Sequence, residues 1–317
     1  MKKTIGRKSL HILNRALASI DKHFIVGNKG YAPPLFIVGL PRSGTTLAYQ
    51  IVAYQFQVAY FTPIMDYLYG MPNLQFRLYK PFLKRPRPVF YSNYGRVKGL
   101  FAPAETGSIW SRWFPWDDSS SHYVRPDLYG EASDNYLDLK RNLDSIATIT
   151  QKPVLIKCVY LNMAICVLAQ LFPEARFIHV HRDMLLTIQS LFVGRQRQQE
   201  PSQWWSVKPP HFAQIQKKPL WQQAVEQAFF TDKIMTDQLS KVAPSRVFDM
   251  EYETLCQKPQ KVMAQLDTWL GEVGYHPYPT TDLPGSFPVS NKWVLDQDLF
   301  ERMSIHLERL SAMESMH

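Results

Sequence analysis

Two prolines, Pro33 and Pro34, precede the apolar run Leu35–Val38. The run ends in Gly39-Leu40-Pro41-Arg42-Ser43-Gly44-Thr45-Thr46, and a helix-forming stretch follows from Leu47 to about residue 57. A short apolar run held between prolines and a glycine turn reads as a buried strand. Strand, glycine turn and helix in that order form the first unit of a nucleotide-binding α/β sheet. Further strands are expected at residues 58–61, 154–156, 176–181 and 246–250. Helices are expected at 162–171, at 183–193 with Gly194 as cap, and at 224–242, 258–271 and 298–313. Residues 62–130, rich in aromatics, Pro and Gly, and 199–221, with four prolines and three tryptophans, read as two irregular insertions. Strands alternating with helices imply a three-layer α/β fold, its central, mostly parallel sheet covered by helices on both faces.

The glycine turn nearly fits the phosphate-loop pattern GxxxxGK[ST]. Gly39, Gly44 and Thr46 agree, but Thr45 stands at the lysine position. A nucleoside triphosphatase needs that lysine against the terminal phosphates, so ordinary ATP hydrolysis is not expected. An anion is still well served. Backbone N–H groups at a helix start point at it, and the helix dipole favours it. Ser43, Thr45 and Thr46 add hydroxyls, and Arg42 adds a permanent charge, so the loop suits a phosphate without a metal.

A second basic element follows the expected strand 176–181. Arg182 stands at its end, and Ser190 lies two helical turns further on. A strand-end arginine and a helix hydroxyl can hold one phosphate from two sides. The plainer alternative pairs Arg182 with Asp183 and Ser190 with its own helix backbone. His179 and His181 alternate with apolar neighbours and read as packed strand residues.

Pro41-Arg42-Ser43-Gly44-Thr45-Thr46 resembles the 5′-phosphosulfate loop of sulfotransferases that use 3′-phosphoadenosine 5′-phosphosulfate, which carry Lys or Arg at the position of Arg42. The segment 171–176, with Arg182 and Ser190, resembles that family's 3′-phosphate motif. The segment 249–255, with Pro259 and 269–271, resembles its later strand-to-helix element, in which Tyr252 and Leu255 pack and Glu253 begins the helix. Ser290-Asn291-Lys292-Trp293 resembles its closing basic loop, with Lys292 as a second partner for the 3′-phosphate. The likeness runs from about residue 33 to 310 and is weakest at 62–130 and 195–235. It implies that 3′-phosphoadenosine 5′-phosphosulfate is a co-substrate and leaves as 3′-phosphoadenosine 5′-phosphate. It also implies no metal and no covalent enzyme intermediate.

In-line transfer of a sulfuryl group builds charge on the departing phosphate oxygen, where Arg42 would act. The acceptor hydroxyl also needs a base. Phe101-Ala102-Pro103-Ala104-Glu105 resembles the Pro-then-acidic segment of the bacterial and carbohydrate-type branch, which makes Glu105 the expected base. His122 and Glu131 compete for that role. Lys157 matches a family lysine that lies in a Lys-x-Pro setting, but Val159 replaces the proline. It reads equally as a phosphosulfate contact or a strand-end charge. Trp110, Trp113, Trp116, Trp204 and Trp205 could stack on sugar rings or pack in the core. A carbohydrate or glycolipid hydroxyl is the acceptor expected.

The chain has 317 residues and no linker-like or repeated tract, which reads as one domain over 1–317 with a helical extension at 1–30. Its formal charge of +9 favours anionic partners. The rivals on these grounds are a nucleotide kinase on the same fold and a non-catalytic nucleotide- or nucleic-acid-binding module. No nucleic-acid-binding motif supports the latter. Cys158, Cys166 and Cys256 lack metal or disulfide spacing and read as buried thiols. The basic cluster Lys80 to Arg87 reads as a solvated loop or as a groove for an acidic ligand. The N-terminal stretch is too polar to cross a membrane. It is expected to form an amphipathic helix with Leu10, Ile12, Leu13, Leu17 and Ile20 on its apolar side. That helix would either dock on the core or make a peripheral membrane contact. The location expected is cytoplasmic, with membrane association as the variant.

Overall fold

The computed structural model describes residues 2–86, 90, 92–93, 96–114, 116, 121–124, 133–198, 200, 203–279 and 282–314. Five parallel strands make the central sheet: β1 (Leu35–Val38), β2 (Ala59–Tyr60), β5 (Val154–Lys157), β6 (Arg176–His181) and β7 (Val247–Glu251). Their order is β2-β5-β1-β6-β7, which puts β1 at the centre. A small antiparallel hairpin, β3 (Ser92–Asn93) and β4 (Arg96–Val97), stands apart. Strand β1 and the first three residues of β5 are apolar, and both strands are buried along their whole length, as a sheet covered on both faces requires.

The helices are α1 (Lys2–Asp21), α2 (Thr45–Gln55), α3 (Pro72–Tyr79), α4 (Gly107–Trp110), α5 (Ser133–Thr150) and α6 (Ile165–Leu171). They continue with α7 (Met184–Gln196), α8 (Phe212–Ile215), α9 (Leu220–Ser240), α10 (Tyr252–Gln257), α11 (Pro259–Gly271) and α12 (Gln297–Glu314). Helix α2 packs against β1 and β5, α5 against β2 and β5, and α7, α9 and α12 stack in turn. The fold is thus a three-layer α/β sheet flanked by helices.

Three expectations need correction. Helix α7 does not stop at Gly194 but runs to Gln196, because Arg195 is buried and its guanidinium lies 4.9 Å from the Trp204 ring. The stretch 62–130 is not wholly irregular. It holds α3, opened by Pro72 at its first position, the hairpin, and α4. Helix α1 docks by polar groups, not by its apolar side. The Asn14 amide donates to the Tyr67 carbonyl (3.2 Å) and accepts from the Gly70 N–H (2.6 Å). Asp21 accepts from the Leu74 N–H (3.0 Å) and from the Asn73 amide (2.8 Å). Ile12 and Ile20 face solvent, and so do Leu10 and Leu13. Unsatisfied N–H groups near α3 bind the helix more specifically than its aliphatic stripe can. Among the described residues no helix is long and apolar enough to cross a membrane.

Candidate functional site

The glycine loop leaves the C-terminal end of β1. Gly39 there has a φ of +154°, and a Cβ added to it would meet the Val180 carbonyl of β6 at 2.3 Å. Only glycine lets the loop pass so close to the neighbouring strand. Asn162, just before α6, clamps the same residue from both sides: its Oδ1 accepts from Gly39 N–H (3.2 Å) and its Nδ2 donates to Gly39 O (2.7 Å). Gly44 caps α2 in the left-handed region, at φ +99°, and a Cβ there would meet Tyr252 Cδ2 at 2.3 Å. Arg42 also has a positive φ, +77°, a costly conformation for a residue with a side chain.

The two basic motifs of the sequence meet. Strands β1 and β6 are parallel neighbours, with Val38 opposite His179. Arg42 Nε donates to Ser190 Oγ at 3.0 Å, and Arg182 Nη1 donates to the Arg42 carbonyl at 3.2 Å. Arg182 Nη2 donates to the Ser290 carbonyl, and its guanidinium lies 4.9 Å from the Tyr252 ring. Its Nε is 4.0 Å from Glu253 Oε1, too long for a hydrogen bond, and neither atom has a hydrogen-bond partner. The 290–294 loop is fastened to α7 by Gln189. That side chain donates to the Lys292 carbonyl (2.9 Å) and accepts from Val294 N–H (2.6 Å). Lys292 itself is exposed, on the segment held beside Ser190.

The loop hydroxyls are not alike. Ser43 is buried and its Oγ donates to the Val180 carbonyl at 2.9 Å, so it ties the loop to β6. Thr45 is buried at the start of α2, and Thr46 is half-buried. Asp183 does not pair with Arg182 but caps α7, accepting from Leu186 N–H (2.8 Å). His179 is bonded to Asp249 across β6 and β7 (2.9 Å), and His181 is exposed.

Glu105 meets β5 at the same end of the sheet. Lys157 closes β5 opposite Ile37, two residues before Gly39. Its ammonium donates to Glu105 Oε2 at 2.5 Å, and Val159 N–H donates to Oε1 at 2.7 Å. Lys157 is deeply buried, whereas Glu105 keeps 24% of its side chain exposed. A carboxylate has about four lone-pair sites, so two remain for a substrate.

His122 lies elsewhere in character. Its Nδ1 accepts from Lys208 N–H at 3.0 Å, and its ring lies 4.4 Å from that of Tyr160. Burial, then the Lys208 charge, pushes its pKa down to about 3. Nδ1 is thus spent on the backbone and the ring stays neutral near pH 7. Glu131 lies outside the described residues. Trp110 and Trp113 are core residues, fully buried around Phe61 and one another. Trp116 stacks on Phe114 and donates to the His122 carbonyl (2.8 Å). The three cysteines are free and buried, and burial raises all three thiol pKa values.

Sequence reasoning missed Asn162, the Val180 carbonyl and the approach of Glu253 to Arg182. It also left Lys157 and Glu105 as separate candidates. All four depend on strand order, which no local motif contains.

The chain matches the model of the sulfotransferase family over residues 33–275. No curated protein matches it. Its fold is similar to that of sulfotransferase STF9 from Mycobacterium avium: 18% identity, 88% of this chain and 68% of that one, TM-score 0.52. Sulfotransferase STF1 from Mycobacterium tuberculosis H37Rv is similar at 14% identity, over 93% of this chain and 76% of that one, with TM-score 0.53. At such identities these two speak for the fold alone. The family match takes in β1, the glycine loop, both basic motifs as far as Ser190, and the sheet to its last strand. By that match the chain belongs to the sulfotransferase family.

Proposed function

We propose that this chain moves the sulfuryl group of 3′-phosphoadenosine 5′-phosphosulfate onto a hydroxyl of a carbohydrate or glycolipid. The reading treats residues 1–317 as one transferase domain, with a helical extension at 1–30. One observation carries it. The glycine loop and the Arg182–Ser190 motif touch through Arg42, with 3.0 Å to Ser190 Oγ and 3.2 Å from Arg182 to the Arg42 carbonyl. A nucleotide with phosphates at both 3′ and 5′ positions asks for two adjacent cationic cradles, and a nucleoside triphosphate does not. Thr45 at the lysine position points the same way.

The roles follow from the chemistry. The acceptor oxygen forms a bond to sulfur while the bond from sulfur to the bridging 5′-phosphate oxygen breaks, and that oxygen keeps the electron pair. Arg42 and the loop N–H groups, with Thr45 and Thr46, meet the growing charge on it; such a donor is typically worth about 100- to 1000-fold in rate. Arg182, Ser190 and Lys292 take the 3′-phosphate. Ser43 acts by shaping the loop, its N–H closing on the Leu40 carbonyl (3.0 Å) and its hydroxyl tied to β6. The acceptor proton passes to Glu105, which Lys157 and Val159 N–H hold in place. No metal enters this scheme.

Calorimetric titration with 3′-phosphoadenosine 5′-phosphate, in parallel with magnesium ATP, tests the reading. Tight binding of the first, weakened at least about tenfold by Arg182→Ala, is expected. Tight binding of magnesium ATP with no response to the bisphosphate would overturn it in favour of a phosphoryl transferase. Acceptor specificity is tested separately with labelled donor, and activity confined to small phenols would remove the carbohydrate or glycolipid assignment.

A further inference from the structure

The basic cluster around Lys80 belongs to a longer biased stretch. Between Asp66 and Glu105 the sequence holds no Asp or Glu and seven Lys or Arg. The described part of that stretch also exposes three large apolar side chains. Leu78, Phe82 and Leu100 are 56%, 61% and 59% exposed. They lie together. Lys80 N–H bonds the Phe76 carbonyl and Leu83 N–H the Tyr79 carbonyl, both at 3.0 Å, so the helical path of α3 continues past its end. Leu78 and Phe82, four residues apart on that path, therefore share a face. The Phe82 ring stacks on Phe101 with centroids 5.3 Å apart, which brings Leu100 alongside. Lys84 and Lys98 are exposed two residues from Phe82 and Leu100, while the Lys80 ammonium turns to the Ile149 carbonyl of α5 (2.9 Å).

Large apolar side chains set outward among lysines, in a stretch without an acid between Asp66 and Glu105, are not how a solvated loop is composed. A soluble polyanion would need the charges but not Leu78, Phe82 and Leu100. An anionic bilayer uses both: the apolar side chains enter the acyl boundary and the lysines meet the headgroups. We propose that the Leu78–Phe82–Leu100 patch with its lysine rim seats this protein on an anionic lipid surface. The inference does not depend on the transfer chemistry. Where that reading also holds, the patch sits beside the site: Phe101 and Glu105 are four residues apart, within about 14 Å along the chain. A glycolipid held in the same surface would then be presented to Glu105.

The test is co-sedimentation of the full chain with vesicles of phosphatidylcholine alone and with roughly one third phosphatidylserine. Binding to the anionic vesicles only, weakened by salt, is expected. The double variant Phe82→Glu, Leu100→Glu should bind them about tenfold less or worse. Lys84→Glu with Lys98→Glu, which touches no ring contact, should show a similar loss and serves if the first variant folds poorly. Absence of binding to anionic vesicles overturns the proposal. So does binding that survives both variants but is lost in Ile12→Glu, Leu13→Glu on the exposed face of α1. Capture by a soluble acidic polysaccharide with no vesicle binding overturns it as well, because the apolar side chains would then have no part.

Discussion

Glu105 is held by a buried ammonium on one oxygen and a backbone N–H on the other. Such a carboxylate cannot swing, so the direction from which it can take a proton is fixed by β5 and the residues after it. Replacing it by glutamine keeps the shape and one acceptor but removes the basic oxygen. Under the proposed reading, Glu105→Gln should lower kcat by about 100- to 10,000-fold while leaving the affinity for 3′-phosphoadenosine 5′-phosphate within about twofold. Steady-state kinetics beside a binding titration read the two effects apart. Wild-type turnover in the variant would remove Glu105 from the chemistry. His122 is a poor substitute in that event, since its Nδ1 is taken by Lys208 N–H and burial keeps its ring neutral.

At the scale of elements, the loop between β1 and α2 is shaped by parts distant in sequence. Gly44 is the clearest case. Alanine there would sit at a φ of +99° with its Cβ 2.3 Å from the Tyr252 ring of α10. Left-handed backbone and overpacking together should cost on the order of 3 kcal/mol. Gly44→Ala should therefore lower the denaturation midpoint. Adding Tyr252→Ala should recover the steric part of the loss and not the backbone part. Strict additivity of the two variants in denaturant titrations would count against the contact.

The strands were legible because each is a short apolar run closed by proline, glycine or charge. Leu35–Val38 and Arg176–His181 appear as expected, and β7 is displaced by one residue at each end. The Arg42 and Arg182 candidates stood out for a related reason, since each follows such a run, and Ser190 lies two helical turns beyond Arg182. What hydropathy could not supply is hydrogen-bond matching. Asn14 and Asp21 look like the solvent face of an amphipathic helix, yet they carry its docking because Gly70 and Leu74 present N–H groups to them. Asn162 looks like an ordinary turn residue until sheet order brings it to Gly39. Trp110 and Trp113 could be read as a sugar-stacking surface or as core, and their volume is used in the core.

Across the whole molecule, the two irregular insertions meet at His122 and Lys208. His122 N–H donates to the Lys208 carbonyl (2.8 Å), and Lys208 N–H returns the bond to His122 Nδ1 (3.0 Å). The folded chain holds this histidine neutral, with a pKa lowered from 6.5 to about 3. The unfolded chain protonates it at its ordinary value. The contribution of His122 is thus fully present above about pH 6.5 and is lost as pH falls toward 3, at up to about 1.4 kcal/mol per pH unit. His122→Asn keeps a neutral acceptor near the Nδ1 position and should flatten the acid limb of the stability curve over that window. An unchanged limb would show that other groups set it.

The strand order has a consequence for how the molecule is made. Strand β1 pairs Leu35 with Leu155 on one side and with Arg176 on the other. A ribosome delivers Gly39 and Gly44 early and Val180 after more than a hundred further residues, on the order of ten seconds later. Until then the nascent loop lacks Asn162, the Val180 carbonyl and Tyr252, the groups that give it shape. Any truncated product that stops short of β6 carries the whole phosphate-loop motif without the Val180 carbonyl and Tyr252 beside it. The segment most readily recognised in the sequence is among the last to acquire its geometry.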